Sequence, residues 1–431
     1  MPIFDQGYQH WKGPLSGRVW RWVTIARYGV RVQRNNRIVR LLLLTAWLPA
    51  LGLIGAMVVW GMLERQSESL LAIFSKFLPP EVLQEPQALR ATMWTLAYSI
   101  FFKVEMYFIM LLVAFAGPGL ISQDLRLNAL PLYLARPLTR LDYFLGKLGV
   151  IGALVASVAV IPAAAAYLVG VCFCLDLDVI KDTYPILLGS VAYGIVITLS
   201  AGTLILALSS LTRRTLYVGI TWAGLWLISA AVGTIMTTIH GESLRQEVYH
   251  AESDRWLDEH PPPVGAKIKQ YGNHRHPVFQ NNPKTSRLEL AGLQPAQQAE
   301  GDRWVQEWSR ANGQAWQKSR TEEGAATRGD WRPMCSYTAN LQRIADLLLD
   351  TEGAWITLGK AVDQPQAALK KSFRVVMPAN VVQSPPGSER RFADQFVLQY
   401  PWWWSAGVLA GLLGLSTWIL TRRVKSLDRL K

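Results

Sequence analysis

The sequence predicts an all-α integral membrane protein with six transmembrane helices and a large α/β insertion before the last of them. Half of the 431 residues are hydrophobic and only 17% are charged, a balance that soluble proteins rarely show. Six apolar stretches reach the ~20 residues that a helix needs to cross a ~30 Å hydrocarbon core. These stretches do not alternate between apolar and polar residues, which excludes a transmembrane β-barrel.

The six stretches set the predicted organisation of the chain. The spans are Leu41–Leu63, Thr92–Gly117, Leu148–Cys174, Tyr184–Ser210, Thr215–Ile239 and Trp402–Thr421. They define a basic arm (1–40), a block of five spans (41–239) that contains the connection 118–147, an insertion (240–401), the sixth span (402–421) and a basic tail (422–431). The first span begins too far along the chain to be a cleaved signal peptide, so we expect an internal signal anchor.

The basic residues predict the orientation. The net charge is +13, and Lys and Arg near the spans fall in the arm, in 118–147, at Arg213 and Arg214, and in the tail. Short cytoplasmic loops hold an excess of such residues. Both termini are therefore predicted to be cytoplasmic, and 240–401 extracytoplasmic, in a multi-pass protein of the plasma (inner) membrane. Because the charge is divided among membrane flanks, no nucleic-acid surface is predicted.

The arm has the pattern of an amphipathic helix at the membrane interface. Apolar side chains recur at helical spacing on one face, opposite Arg18, Arg21 and Arg31. The apolar residues are Val19, Trp22, Val23, Ala26 and Val30. The alternative is a loosely ordered arm whose arginines only fix the topology.

The connection 118–147 carries the most specific pattern in the chain. Its features are a Gly117-Pro118-Gly119 break, the pair Asp124 and Arg126, the run Ala135–Arg140 and a final Gly146-Lys147. In these features it resembles the loop after the second membrane helix in permeases of the type-2 ABC exporter family. The arm resembles the amphipathic helix that leads into the first span of those permeases.

The resemblance implies a cytoplasmic coupling helix that sits in a cleft of a separate ATPase subunit. Ser122 is predicted to cap this helix and Asp124 to lie in its first turn. The residues implied in coupling are Asp124, Arg126, Arg136, Pro137, Arg140 and Lys147. The alternative is that the basic residues only hold the loop inside.

No GxxxxGK[ST] phosphate-binding loop occurs in the sequence, so the chain is not predicted to be its own ATPase of that class. The resemblance implies that ATP and Mg belong to a cytosolic ABC ATPase subunit, and that two permeases act with two ATPases. This chain then needs no cofactor and is not an enzyme. Gly407, Gly411 and Gly414 in the sixth span are a possible homodimer face, against close packing within one chain.

Two charged residues, Lys103 and Glu105, interrupt the second span. Charges in a span are costly and are functional candidates, here for a translocation path. The alternative is that Lys103 lies near the outer edge and reaches the interface with its long side chain. Residues two apart do not share a helix face, so no ion pair between them is predicted.

The insertion is predicted in two parts. Through about Asp330 it is polar and is expected to be partly extended or loosely ordered, whereas a helix around Leu341–Leu349 and strands at Phe373–Met377 and Phe396–Leu398 are expected after it. His274 and His276 are the closest histidine pair here, but their spacing fits no zinc motif and no metal site is predicted.

The three cysteines allow two interpretations. Cys335 forms a disulfide with Cys172 or Cys174, or all three residues are free thiols.

Together these features predict the transmembrane permease subunit of an ATP-driven ABC exporter, in contact with the lipid bilayer and with its ATPase. The alternative is a membrane-anchored binding or sensing protein that works through its extracytoplasmic domain. No Ser-His-Asp or paired-carboxylate arrangement indicates catalysis.

Overall fold

A computed structural model describes residues 20–68, 72, 86–129, 139–174, 176, 178–282, 287–326, 329–359 and 399–428. The helices are α1 (Arg21–Asn35), α2 (Arg37–Thr45), α3 (Trp47–Glu64), α4 (Arg90–Ala116), α5 (Gly119–Arg126), α6 (Arg140–Val155), α7 (Ile161–Phe173), α8 (Asp178–Ile197), α9 (Thr203–Leu211), α10 (Thr215–Glu259), α11 (Gln298–Ala326), α12 (Tyr337–Leu348), α13 (351–359) and α14 (Trp402–Asp428). The strands are β1 (Ile268–Tyr271), β2 (His274–Pro277), β3 (Phe279–Asn282) and β4 (Arg287–Leu290).

The predicted membrane helices are confirmed. The described residues contain six helical segments that are long and apolar enough to cross a membrane. They are Arg37–Glu64, Pro86–Arg126, Arg140–Phe173, Asp178–Leu211, Thr215–Glu259 and Trp402–Arg423. The chain is therefore an all-α membrane protein in its main architecture.

The chain forms two compact units, and each is described by itself. The first contains the described residues of Met1–Gly61, Ala97–Trp226 and Gly407–Lys431. The second contains those of Met62–Leu96 and Leu227–Ala406.

In the first unit, two π-helical turns interrupt the third and fourth spans. Ala156–Val160 separates α6 from α7, and Thr198–Gly202 separates α8 from α9. The turns pack reciprocally. A Cβ at Gly194 would overlap Val160 of the first turn, and a Cβ at Gly152 would lie 3.1 Å from Thr198 of the second.

Hydrogen bonds from buried side chains also join the spans of the first unit. The Tyr98 hydroxyl of α4 donates to the carbonyl of Ala163 in α7 at 2.8 Å. The Trp222 indole of α10 donates to the carbonyl of Met110 in α4 at 3.1 Å. Such contacts orient the helices, because lipid gives no apolar driving force between them.

In the second unit, α10 continues well past its predicted end at Ile239. Its 45 residues correspond to roughly 67 Å of helix. The polar residues from His240 to Glu259 are therefore helical, and the expectation of a partly extended or loosely ordered segment through Asp330 is wrong for α10 and α11. The physical reason is packing: Leu257 of α10, Leu290 of β4 and Trp304 of α11 form a buried cluster.

The strands of the second unit form two separate antiparallel hairpins. In the first, Ile268 pairs with Pro277 and Tyr271 with His274; in the second, Phe279 pairs with Leu290. No larger sheet forms within the described part of the insertion. The strands predicted at Phe373–Met377 and Phe396–Leu398 lie outside the described residues. The helix predicted around Leu341 is α12.

Candidate functional site

The short helix α5 follows the second span at the connection singled out in the sequence. Asp124 of α5 lies against the first two turns of α6. Its Oδ2 accepts a hydrogen bond from the Tyr143 hydroxyl at 2.7 Å and lies 2.7 Å from the Lys147 amine. The Lys147 and Asp124 side chains are only 12% and 15% exposed. A shielded, charge-assisted pair is stronger than an exposed one, so α5 is held firmly to the third span.

The N-terminus of α5 is capped from another helix. The buried Ser209 hydroxyl of α9 accepts from the backbone N–H of Ile121 at 3.1 Å and of Ser122 at 2.9 Å, and it donates to the carbonyl of Pro118 at 2.7 Å. It thus satisfies two backbone donors that a helix start leaves without partners. The cap fixes α5 to the fourth span.

The prediction for Ser122 and Asp124 is wrong in detail. The helix begins at Gly119, four residues earlier than a Ser122 cap requires, because Pro118 is already in the right-handed helical region. Ser122 therefore lies inside the helix, where its hydroxyl donates back to the carbonyl of Pro118 at 2.5 Å. Asp124 is not in the first turn, and its role is the contact with α6.

A close approach at Gly117 completes the attachment of α5. A Cβ on this residue would lie 2.5 Å from a side-chain carbon of Ile205 in α9 and 2.7 Å from the carbonyl oxygen of Val113. Only glycine fits at this distance. The second span, α5 and the fourth span therefore meet without space between them.

The other predicted coupling residues are placed as follows. Arg126 is exposed in the last turn of α5, and the next residue, Leu127, is 74% exposed. Arg140 is the first residue of α6, directly after the N-cap Thr139, which forms a capping box with Asp142. Arg136 and Pro137 lie outside the described residues. The structure thus brings Asp124 and Lys147 together and leaves Arg126 on the surface.

The arm contains the helix α1, which packs on α6 just beyond Lys147. A Cβ at Gly146 would lie 2.6 Å from the Cβ of Ile25, and a Cβ at Gly149 would lie 3.1 Å from the Cβ of Ala26. Ala26 belongs to the apolar face expected from the sequence, and it is buried. Helices α1, α5 and α6 therefore form one connected assembly.

Glu105 and Lys103 occupy different environments in the second span. Glu105 is 0% exposed, and within the described residues neither carboxylate oxygen has a hydrogen-bond partner. Lys103 is exposed. The two side chains point to different sides of α4, as the two-residue spacing requires.

The second unit contains a cavity of about 350 Å³. It lies between α10, α11, the segment before α12 and the residues that precede α14. Its polar lining includes Thr237, His240, Glu323, Asp330, Ser336 and Tyr400. Gly241 allows Glu323 into this wall, since a Cβ at that position would lie 2.8 Å from the Glu323 Oε1.

A histidine cluster joins the first hairpin to α10. The ring of His250 stacks on that of His274 at 4.3 Å and meets that of His276 at 5.3 Å, while His274 Nδ1 lies 2.7 Å from an Asp254 oxygen. Spacing alone could not reveal His250, because it lies 24 residues before His274 on another element. No set of three potential ligands in the described part of the chain has the geometry of a metal site.

Among the described residues, Cys335 forms no disulfide.

No protein-family model, curated protein or solved structure matches the chain. The resemblance to type-2 exporter permeases therefore depends on the residues of the arm and of the connection 118–147.

Proposed function

We propose that the chain is the transmembrane permease subunit of an ATP-driven ABC exporter. Two copies would act with cytosolic ATPase subunits to move a substrate outward across the plasma membrane. The observation that carries this proposal is α5, a short helix attached to the third span through Asp124 and to the fourth through Ser209. A helix held in this way transmits displacement to the spans.

The attachment explains how ATP binding on a partner would reach the membrane. A partner that pushes on α5 moves α6 through the Asp124–Lys147 pair and the Tyr143 hydrogen bond. It moves α9 through the Ser209 cap and the tight contact at Gly117. Since packed interiors are bistable and not continuously deformable, a small shift of α5 changes the arrangement of the spans.

The contact with the ATPase is assigned to the exposed end of α5. Arg126 offers a charge, and Leu127 offers an apolar side chain that the chain itself leaves 74% exposed. Arginine is enriched at protein interfaces, and the exposed Leu127 adds apolar surface beside Arg126.

The experiment is purification of the tagged chain from its native membranes, with identification of co-purifying proteins and an assay for ATP hydrolysis. The wild-type chain should retain a stoichiometric ABC ATPase, and Arg126→Glu should lose it. Arg310→Glu is the control, because it makes the same charge change at an exposed position of α11. An Arg126→Glu chain that keeps the ATPase contradicts the assigned contact, and a wild-type chain without ATPase contradicts the function.

The homodimer is supported by the sixth span. A Cβ at Gly407, Gly411 or Gly414 would meet no described atom of the chain within 4 Å, so these glycines do not serve close packing against the part of the chain that the structure describes. A ridge of small residues that the chain leaves open suits the approach of a second helix.

Gly411→Ile should therefore convert the dimer to a monomer while leaving the monomer folded, as measured by native mass spectrometry in mild detergent. Gly52→Ile is the control, since Gly52 in the first span also has no neighbour within 4 Å among the described residues. A Gly411→Ile protein that remains dimeric would assign the dimer to another face.

The cavity of the second unit favours a second candidate function, ligand binding by a membrane-anchored sensor. Its volume of about 350 Å³ and its few convergent polar groups are within the range of small-molecule sites. A thermal-shift screen of the purified chain tests this. A ligand that stabilises the wild type but not Gly241→Leu, which displaces Glu323 from the wall, would support binding in the cavity. If no compound gives this difference, the sensor function is contradicted, and the permease function is decided by the ATPase purification.

A further inference from the structure

Glu105 is a carboxyl group deep in the second span. It lies near the middle of α4, roughly 16 Å along the axis from the end of the helix at Ala116 and roughly 22 Å from its start at Arg90. The side chain is 0% exposed. It is therefore removed from water both by its depth in the span and by the packing of the protein around it.

The surroundings of Glu105 on α4 are apolar. Phe101, Phe102 and Ile109, three or four residues away on the same side of the helix, are at most 3% exposed. The ring of Phe102 lies edge-on to that of Tyr193 at 5.2 Å. Aromatic and aliphatic side chains of this kind donate no hydrogen bond to a carboxylate.

Two tyrosine hydroxyl groups of this region have partners other than Glu105. Tyr193 donates to the sulfur of Met106 at 3.7 Å, and Tyr98, two turns before Glu105, donates to the carbonyl of Ala163 at 2.8 Å. Lys103 is exposed on another side of the helix. Both Glu105 oxygens accordingly have no hydrogen-bond partner among the described residues.

An ionised carboxylate in such a place lacks both water and a counter-charge. Desolvation then strongly disfavours the ionised form, whereas a neutral acid is tolerated far better. With 0% exposure, the site has no space for a hydrated metal ion or an organic cation. A proton is the one cation that fits, since it becomes part of the carboxyl group itself.

We propose that Glu105 is a proton-binding site inside the second span. The folded protein holds Glu105 as the neutral acid while this side of α4 stays packed. When a rearrangement of the spans admits water, the O–H bond breaks, the proton passes to water as hydronium, and the carboxylate remains. A cycle that alternately opens and closes this side therefore releases and takes up one proton per chain. This goes beyond the proposed export function and does not depend on it.

The test is infrared spectroscopy of the purified full-length chain in lipid nanodiscs at pH 7. The wild type minus Glu105→Gln difference should contain the carbonyl stretch of a protonated carboxylic acid, resistant to exchange in heavy water. The control Glu259→Gln removes an exposed carboxylate that is paired with Arg255, and its difference spectrum should contain carboxylate stretches instead.

A Glu105→Gln difference that contains carboxylate stretches and no acid carbonyl overturns the proposal. If Glu105→Gln does not fold, Glu105→Asp decides the same question, because it keeps the acid and shifts its carbonyl frequency. The spectrum requires neither ATPase partner nor transport, so its failure is separate from any failure of the export function.

Discussion

Two buried glutamates differ in whether their carboxylate has a partner: Glu64 lies at the end of the first span, and Glu105 lies within the second. Glu64 forms a two-point ion pair with Arg90, with nitrogen–oxygen distances of 2.7 and 2.8 Å and side chains that are 0% and 3% exposed. Glu105 is as deeply buried and has no partner among the described residues. The difference teaches that burial alone does not define the role of a carboxyl group: a partnered one fixes structure, and one without a partner holds a proton.

The largest effect that tests this comparison is expected at the ion pair. Arg90→Ala leaves Glu64 buried without its counter-charge and should destabilise the protein by about 3–5 kcal/mol. The measurement is denaturant unfolding in detergent, where two-state behaviour must first be established. The double variant Glu64→Leu/Arg90→Leu should recover most of the loss, because it removes both charges together. If the double variant is as unstable as the single one, the loss is due to packing.

A middle-sized effect is expected at Ser209, a buried polar group with partners on three residues. Ser209→Ala leaves the N–H groups of Ile121 and Ser122 without an acceptor and should cost about 1–2 kcal/mol. Thr139→Ala is the matched control, because it removes an exposed capping box and should cost about 1 kcal/mol or less.

Both variants are compared by thermal unfolding and by ATP hydrolysis in the proposed complex with an ATPase subunit. Ser209→Ala should also lower the rate of ATP hydrolysis by the complex, because it loosens α5 from the fourth span and weakens the link between the ATPase and the spans. Equal losses of stability and equal activity in the two variants would contradict the role of the buried cap.

The smallest effect is expected at Glu105. Glu105→Gln replaces a neutral acid by a neutral amide of the same shape, so it should change the free energy of unfolding by less than about 1 kcal/mol. The same unfolding assay measures it beside Arg90→Ala. A loss at Glu105 as large as that at Arg90 would mean that the carboxylate is ionised and partnered, and the contrast between the two glutamates would vanish.

The membrane helices could be predicted from the sequence because apolar length is a local property. The helix α10 begins at Thr215 as expected, and the sixth span begins at Trp402. The extension of α10 to Glu259 was not predicted. The polar residues there are helical because they pack against Leu290 and Trp304, which are distant in sequence. Tertiary packing decides such segments.

The candidate site was predictable only in part for the same reason. Asp124 and Arg126 of α5 are recognisable in the sequence of the connection 118–147. The contact between Asp124 and Lys147 joins two residues of this same connection. The Ser209 cap comes from 87 to 91 residues away, and Arg90 lies 26 residues from Glu64. A serine in an apolar span and a glutamate at the end of one carry no local mark of these partners.

The paired π-helical turns give the third and fourth spans a particular rotational phase. A π turn holds one residue more than the α-helical turn it replaces, so it rotates everything that follows by roughly 100° about the helix axis. Val160 of the first turn lies over Gly194, which precedes the second turn, and Thr198 of the second turn lies over Gly152, which precedes the first. The two spans therefore change phase at neighbouring levels, and each turn packs beside a glycine of the other span. Removing one residue from either turn would put only that span out of phase with its neighbour. The two insertions are therefore a matched set, and one without the other would misalign the interface.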